Sequence, residues 1–513
     1  MWFIRMLRSS NAAAVLKNYP LLLGKLEAPS SNLAPAFAIS AQLFPLSTWA
    51  ETQYKVIDDS LSLLLRRFLS TTSHQTLQQG KKHNTEETKN KIAVGISGGV
   101  DSAVAALLLK QAGYEVVGVF MRNWDETEET GKTRHCTIEK DFKDASAVCT
   151  QLNIPLYEAD FIAQYWNEVF TKFLAECSRG LTPNPDLACN RHIKFGALLE
   201  FAKRQLGVEM VATGHYARIK KIPSSSSSAF IATCSDENDG VLQAKKVQLL
   251  QGIDGTKDQS YFLASIHPEA LNSVLFPLGE FEKSTVREIA AKYKLVPAEK
   301  RSSAGICFIG RRNFAEFLEQ YLPIVPGRFI DVDNGKDVGR CENILSVTIG
   351  QRPGIGGASD RTYVAGKDIN TGIVYIAKGR NHPALTTKSA MLRTPHWLSR
   401  EHFDRLKCDK ELQCEYKARY GQKSAKCTLK LVHSEEITAE KGFKKSRFCG
   451  LQAEDSKIND GYVVVHFDKP AGAITPQQEF VMYDGDVCIG SAAIAMPGQT
   501  LHEEREGGEN HNF

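Results

Sequence analysis

The chain has no Cys-x-x-Cys pair, although twelve cysteines are scattered through its 513 residues. Zinc ribbons and fingers need ligands at that spacing, so a structural zinc module is not expected. A secreted disulfide framework suits small domains, not a chain of this length. No apolar run approaches the roughly 18 residues that cross a bilayer, so no membrane contact is expected. Charge is nearly balanced at +4, so any nucleic-acid binding must come from a local basic face. Acid is missing from the start. Glu27 is the first carboxylate, after Arg5, Arg8, Lys17 and Lys25. Basic, acid-poor leaders are the mark of organelle import, so residues 1–90 read as a transit peptide and leader. The mitochondrion is the first expectation and the plastid the second.

What is present starts at residues 91–96, a short apolar strand, followed by Ser97-Gly98-Gly99-Val100-Asp101-Ser102 and an Ala/Leu/Val-rich helix that stops at Gly113. A strand, a glycine turn and a helix N-terminus make an anion site, because unpaired N–H groups and the helix dipole converge there. The loop has neither the Gly-Lys-Ser/Thr ending of a Walker A motif nor Rossmann spacing.

Strands at 115–121, 154–157 and 209–213 alternate with helices at 140–152 and 195–206, which predicts a parallel sheet covered by helices. Ligands bind at the carboxyl ends of such strands. The 97–102 loop, Met121 and Gly214 all lie at those ends. A Ser-rich and acidic insertion follows at 223–240, and residues 280–325 read as largely helical. From about residue 345 short strands broken by Gly, Pro and Asp predict a terminal β-barrel. The expected domains are 91–271 (with 300–314 returning to it), a central domain over 272–382, the barrel over 383–500 and a tail to 513.

Two cysteines occupy unusual contexts. Cys189 follows Thr182-Pro183-Asn184-Pro185-Asp186-Leu187-Ala188, where two prolines predict a rigid non-helical loop presenting Asp186 and Cys189 together. Cys307 lies in Gly305-Ile306-Cys307-Phe308-Ile309-Gly310 before Arg311 and Arg312, and a nearby guanidinium would raise its thiolate fraction. Most other cysteines read as small buried hydrophobes. A third segment, Gly255-Thr256-Lys257-Asp258-Gln259-Ser260-Tyr261-Phe262-Leu263, has a polar head able to grip phosphate or a base edge.

The order SGGVDS, GVFMRNWDE, TPNPDLACNRHIKFG, ATGHYAR, GTKDQSYFL, FPLG, GICFIG, GQRPGIGG and RTYVAGKD resembles the tRNA-specific 2-thiouridylases over residues 91–494. The resemblance implies an ATP-pyrophosphatase (PP-loop) domain, a small central domain and a C-terminal β-barrel. It implies a tRNA-uridine 2-sulfurtransferase that adenylates the C2 oxygen of the wobble uridine (position 34) in the anticodon loop. Gly95, Ile96, Ser97, Gly98, Gly99, Val100, Asp101, Ser102, Met121 and Gly214 would contact ATP, used with Mg²⁺. Asn184, Pro185 and Asp186 would meet the target base. Lys257, Asp258, Gln259, Arg419 and Tyr420 would contact tRNA. Cys189 would be the nucleophile, Cys307 the persulfide carrier and Asp186 the acid/base candidate. Sulfur would come from an upstream persulfide donor or cysteine desulfurase relay. No resident metal site and no iron–sulfur cluster are expected. Ser302 and Ala188 depart from the family pattern, where an acid and a larger apolar residue are usual. The alternatives are another PP-loop ligase acting on a small molecule and a non-catalytic RNA-binding relative. Residues 415–420 read as a strand, with Lys417 and Arg419 on one face and Lys417 as charge on an exposed edge.

Overall fold

The computed structural model describes residues 91–124, 137–222, 246–300, 308–310, 312–355, 361–432, 443–451 and 462–508. The leader, the 223–240 insertion, Ser302 and Cys307 lie outside the described residues.

The first layer is a parallel sheet. Strands β1 (Lys91–Gly95), β2 (Glu115–Arg122), β3 (Leu156–Asp160) and β4 (Met210–Ala212) are followed by a hairpin, β5 (Ala217–Ile222) and β6 (Lys246–Gln251), and then by β7 (Val274–Leu275). The sheet order is β3-β2-β1-β4-β7, and every pairing is parallel. Ile92, Val94 and Ile96 face a core with helices α1 (Val100–Gln111), α2 (Thr137–Leu152) and α3 (Lys283–Lys292). Ala93 faces the opposite core. Period-two alternation along a strand covered on both faces gives this division. After β3 the chain returns across the sheet to β4 on the far side of β1. The switch point therefore lies between the carboxyl ends of β1 and β4.

The sheet of the first domain continues beyond the 271/272 boundary expected from the sequence. The strand β7 hydrogen-bonds β4, and α3 packs on α1. A two-residue strand is too short to show a period, which is why the pattern concealed it.

A mixed four-stranded sheet follows, ordered β10-β11-β8-β9, from β8 (Gly327–Asp331), β9 (Asp337–Cys341), β10 (Thr362–Asp368) and β11 (Ile373–Lys378). The C-terminal part adds β12 (Thr386–Leu392), β13 (His396–Trp397), β14 (Glu411–Lys417), β15 (Ala425–Val432), β16 (Tyr462–Gly472), β17 (Glu479–Asp484) and β18 (Val487–Pro497). The order β12-β16-β15-β14-β17-β18 closes through a β12–β18 pairing, giving the expected barrel. Tyr416 stacks on Phe480 inside it, with ring centroids 4.8 Å apart. The β5–β6 hairpin leaves the first domain and pairs with β18.

Lys417 departs from its expected place on an exposed edge. It is the last residue of β14 and is buried. Its ammonium lies 2.9 Å from Asp258 Oδ2 and 4.9 Å from the centre of the Tyr483 ring. Arg419 and Tyr420 lie beyond the strand, in the turn that follows it. The Lys417–Asp258 pair crosses from barrel to first domain. Removing one partner of a buried pair leaves the other charge desolvated, which costs roughly 3–5 kcal/mol. Lys417→Met should lower the thermal midpoint sharply, and adding Asp258→Asn should recover part of the loss; unfolding monitored by circular dichroism measures both.

Candidate nucleotide and tRNA site

At the switch point, β1 ends at Gly95 and the chain turns through residues 97–102. Gly98 has φ +69°, and a Cβ there would come within 2.5 Å of the Asp141 carbonyl oxygen. Glycine is required for both reasons. Gly99 caps α1 with no side-chain hydrogen bond, so the first N–H groups of the helix stay available to an anion. Ser102 Oγ accepts from the Ser97 amide (3.2 Å) and donates to the Gly99 carbonyl (3.2 Å), holding the loop closed on itself. Gly214, just beyond β4, lies against the loop, where a Cβ would meet Asp101 C and Ser102 N at 2.8 Å. The Met121 methyl lies 3.6 Å from where a Gly95 Cβ would be. The three expected segments therefore converge. Ile96 and Val100 turn their side chains into the core, leaving only their backbones to serve a nucleotide.

The acidic member of the loop has partners that sequence reading missed. Asp101 Oδ1 accepts from Tyr216 Oη at 2.8 Å and from Lys283 Nζ. Lys300 Nζ donates to the Gly98 carbonyl (3.2 Å) and to Asp141 and Asp144 (2.8 Å each). Burial works against the Lys300 charge, but the two aspartates more than offset it, and its pKa is raised. Tyr216 sits in the quoted ATGHYAR motif and Lys283 follows FPLG. Each could have been flagged as a polar residue near a strand end or a helix start.

The second cluster is the cysteine turn, and here the sequence reading is corrected. Pro185 occupies the first helical position, where a missing N–H costs nothing. Asn184 caps that turn by accepting from the Asp186 amide at 3.1 Å. The chain is thus helical from Pro185–Ala188 and continues as a π-helix over Cys189–Ala197, a form that recurs at functional sites. Cys189 is buried, 5% exposed. Burial raises the Asp186 pKa, with the Lys194 charge acting in the opposite sense. Such a carboxyl holds a proton more readily than usual, as an acid/base group requires.

The turn is clamped from two sides. From the barrel, Gln478 Nε2 donates to the Thr182 carbonyl (2.6 Å) and the Thr182 amide donates to the Pro476 carbonyl (3.2 Å). From the first domain, Asn190 Nδ2 donates to the Phe262 carbonyl at 2.8 Å. The exposed Tyr420 ring lies 4.5 Å from that of Phe262. Arg419 is exposed and donates to the Gly472 carbonyl. Lys257 is exposed as well.

The side chains of Asp258 and Gln259, expected to contact tRNA, are engaged within the protein. The Asp258 carboxylate is buried and is taken by Lys417, the Ser260 amide and hydroxyl, and the Gly252 amide. The side chain of Gln259 accepts from the Tyr216 amide, and its own amide donates to the Tyr216 carbonyl. These two residues support the surface that Lys257, Arg419 and Tyr420 present. The segment after Cys307 is also anchored. Phe308 is fully buried, with ring contacts to Trp124, Tyr165, Phe170 and Phe173. Arg312 turns onto the Phe308 and Ile309 carbonyls.

Comparison with known proteins agrees with this arrangement. Residues 90–311 match the family described as "tRNA methyl transferase HUP domain". Residues 315–378 match a "tRNA methyl transferase PRC-barrel domain", and residues 446–494 an "Aminomethyltransferase beta-barrel domain". The tRNA-specific 2-thiouridylase MnmA of Pectobacterium carotovorum is 40% identical over 416 residues, 80% of this chain and 98% of the relative. The MnmA of Shigella boydii is 41% identical over 80% of this chain and 97% of the relative. The chain belongs to the tRNA-specific 2-thiouridylase family. Among solved structures, an NMN synthetase from Francisella tularensis aligns with 48% of this chain and 75% of its own at 15% identity, with a TM-score of 0.27. That likeness carries no argument. In this thiouridylase no helix among the described residues is long and apolar enough to cross a membrane.

One site residue gives a pH signature. His215 is buried between the Phe195 and Phe276 rings, with Nδ1 2.7 Å from Thr213 Oγ1. Burial, aided by the Lys194 charge, pushes its pKa well below 6.5. The unfolded chain takes up a proton near pH 6.5 that the native state refuses. This stability is therefore present above that pH and is lost as pH falls below it. Thermal unfolding between pH 7 and 5 should show a falling midpoint, with a shallower acid limb in His215→Gln.

Proposed function

We propose that this thiouridylase spends ATP to replace O2 of the tRNA wobble uridine with sulfur. The observation that carries the reading is a continuous path between the two clusters. Gln259 is bonded to Tyr216 and Tyr216 to Asp101 of the phosphate loop, while Phe262 of the same segment is bonded to Asn190 beside Cys189. Nucleotide loop, tRNA-facing segment and cysteine turn are one connected structure.

The chemistry follows from the groups present. The uridine C2 oxygen is a poor leaving group until it bonds the α-phosphorus of ATP and pyrophosphate departs. The open N–H groups of α1, Ser97 and Ser102 suit the departing phosphates. Mg²⁺ would screen phosphate charge, and Asp101 is the carboxylate at hand for it. A persulfide on Cys307 attacks C2 through its terminal sulfur, and AMP leaves with the oxygen. The Cys189 thiolate then attacks the Cys307 sulfur, the S–S electron pair passes to the transferred sulfur, and a Cys189–Cys307 disulfide remains for an external thiol to reduce. Asp186, the acid/base candidate beside Cys189, takes the thiol proton as that thiolate forms. The persulfide is supplied by an upstream donor or cysteine desulfurase relay. Arg419 and Lys257 meet phosphate, and Tyr420 offers a base a stacking face continued by Phe262. The basic, acid-poor leader supports import into the mitochondrion, or second the plastid. The family descriptions name methyl transfer as a second reading.

Nucleoside mass spectrometry of organellar tRNA with and without the protein tests this. Loss of 2-thiouridine is expected, and loss of a methylated nucleoside would favour the second reading. Labelled ATP should yield AMP and pyrophosphate in a tRNA-dependent manner; ADP would overturn the assignment. Cys189→Ser and Cys307→Ser should each abolish thiolation, with Cys449→Ser as the control. Tyr420→Ala should weaken tRNA binding with little change in its salt dependence, while Arg419→Ala should flatten that dependence, as filter binding across a salt series would report. Residues 1–90 fused to a fluorescent reporter should direct it to mitochondria.

A further inference from the structure

The phosphate loop carries no lysine, yet it carries a carboxylate. Asp101 stands in the first turn of α1, at the end where the unpaired N–H groups attract anions. A bare carboxylate there would repel a triphosphate. The structure answers with two lysines from distant sequence, and their bonding separates their roles. Lys300 has three N–H groups and three acceptors, namely the Gly98 carbonyl, Asp141 and Asp144. Its charge is balanced by two aspartates, and its part is to hold the loop against α2. Lys283 opens α3, and its side chain is 13% exposed. Among the described residues its ammonium has one acceptor, Asp101, which it shares with Tyr216. Its backbone N–H is fixed by Asp254 Oδ2 at 3.0 Å, and its Nζ lies 5.5 Å from the centre of the Tyr216 ring. The cation is therefore held at the rim of the loop, with two N–H groups in reserve.

We infer that Lys283 is the phosphate-charge-neutralising lysine of this active site, supplied from α3 in place of the loop lysine the motif lacks. The inference rests on the adenylation reading above. In that step the uridine oxygen bonds the α-phosphorus, the bond to the bridging oxygen breaks, and its electron pair leaves with pyrophosphate. Nothing is oxidised or reduced. Negative charge grows on the leaving pyrophosphate, and an ammonium already positioned there stabilises it without reorganisation. Lys283 pairs with Asp101 before the nucleotide arrives and turns its spare N–H groups to the phosphates afterwards.

The test uses the full chain with a tRNA substrate and inorganic pyrophosphate as the probe. A charge-assisted hydrogen bond of this kind corresponds to about 10- to 100-fold in binding. Lys283→Met should weaken pyrophosphate binding by that factor, measured by calorimetry or product inhibition. It should slow tRNA-dependent pyrophosphate release at saturating ATP by at least as much and leave tRNA affinity unchanged. Lys283→Arg, which keeps the charge, should restore most of both. Tyr216→Phe removes the other partner of Asp101 and keeps the cation, so it should lose clearly less pyrophosphate affinity than Lys283→Met. Two results overturn the inference. One is a Lys283→Met variant that binds pyrophosphate like the parent. The other is a Tyr216→Phe variant that loses as much as Lys283→Met, which would make Lys283 a support for Asp101 alone. If the parent itself releases no pyrophosphate with tRNA, the adenylation reading fails, while pyrophosphate affinity still reports on Lys283.

Discussion

The Asp258 carboxylate bonded to Lys417 is the contact on which the arrangement of the site depends. It lies where the first domain meets the barrel, nearly closed to water, with the Ser260 and Gly252 amides completing its hydrogen bonds. A charge in such a place is tolerated only when every lone pair is answered. Around it the Ser260 hydroxyl meets the Tyr483 hydroxyl at 3.1 Å, and the Tyr261 hydroxyl donates to the Glu479 carbonyl at 2.9 Å. These bonds fix the end of β14, and so the turn that carries Arg419 and Tyr420, beside the 257–262 segment. The exposed surface of Lys257, Arg419 and Tyr420, which we propose faces tRNA, is therefore built from two domains, and its geometry is inherited from a pair buried beneath it.

The same economy operates at the cysteine turn. Its carbonyls and amides are held by Gln478 and Pro476 from one side and by Phe262 and Ser265 from the other. The barrel thereby positions the turn that carries Cys189. Burial of the thiol removes it from bulk oxidants, and the raised pKa of Asp186 comes from the same enclosure. Protection and proton affinity are two results of one low-dielectric setting.

The sequence made the anion loop legible because its signal is local. A strand, two glycines and a helix lie within a few residues, and the peptide geometry follows directly. The barrel was legible for a similar reason, since its short strands are broken by Gly, Pro and Asp within a few residues of one another. The inward turn of Lys417 was not, because its partner lies 159 residues away and a lysine at a strand end reads as solvated. Asp101 and Lys283 are separated by 182 residues. The helical start at Pro185 was misread for a different reason. Proline breaks a helix interior and starts a helix equally well, and only the cap formed by Asn184 decides between the two. Strand β7 is too short to show a period, and the β5–β6 hairpin escaped because sheet membership is a long-range property.

That hairpin makes the barrel unlike a detachable module. Leu249 and Leu250 of β6 pair with Cys488 and Val487 at the start of β18, so one sheet runs through the linear boundary between nucleotide domain and barrel. A barrel cut out at residue 383 would keep its ring of six strands but leave that stretch of β18 as an open edge, ready to recruit strands from other chains. Shuffling of the barrel among proteins of other architectures would have to carry along a hairpin encoded more than a hundred residues upstream. A recombination event that moved the barrel alone would thus part β18 from the strand that covers its start.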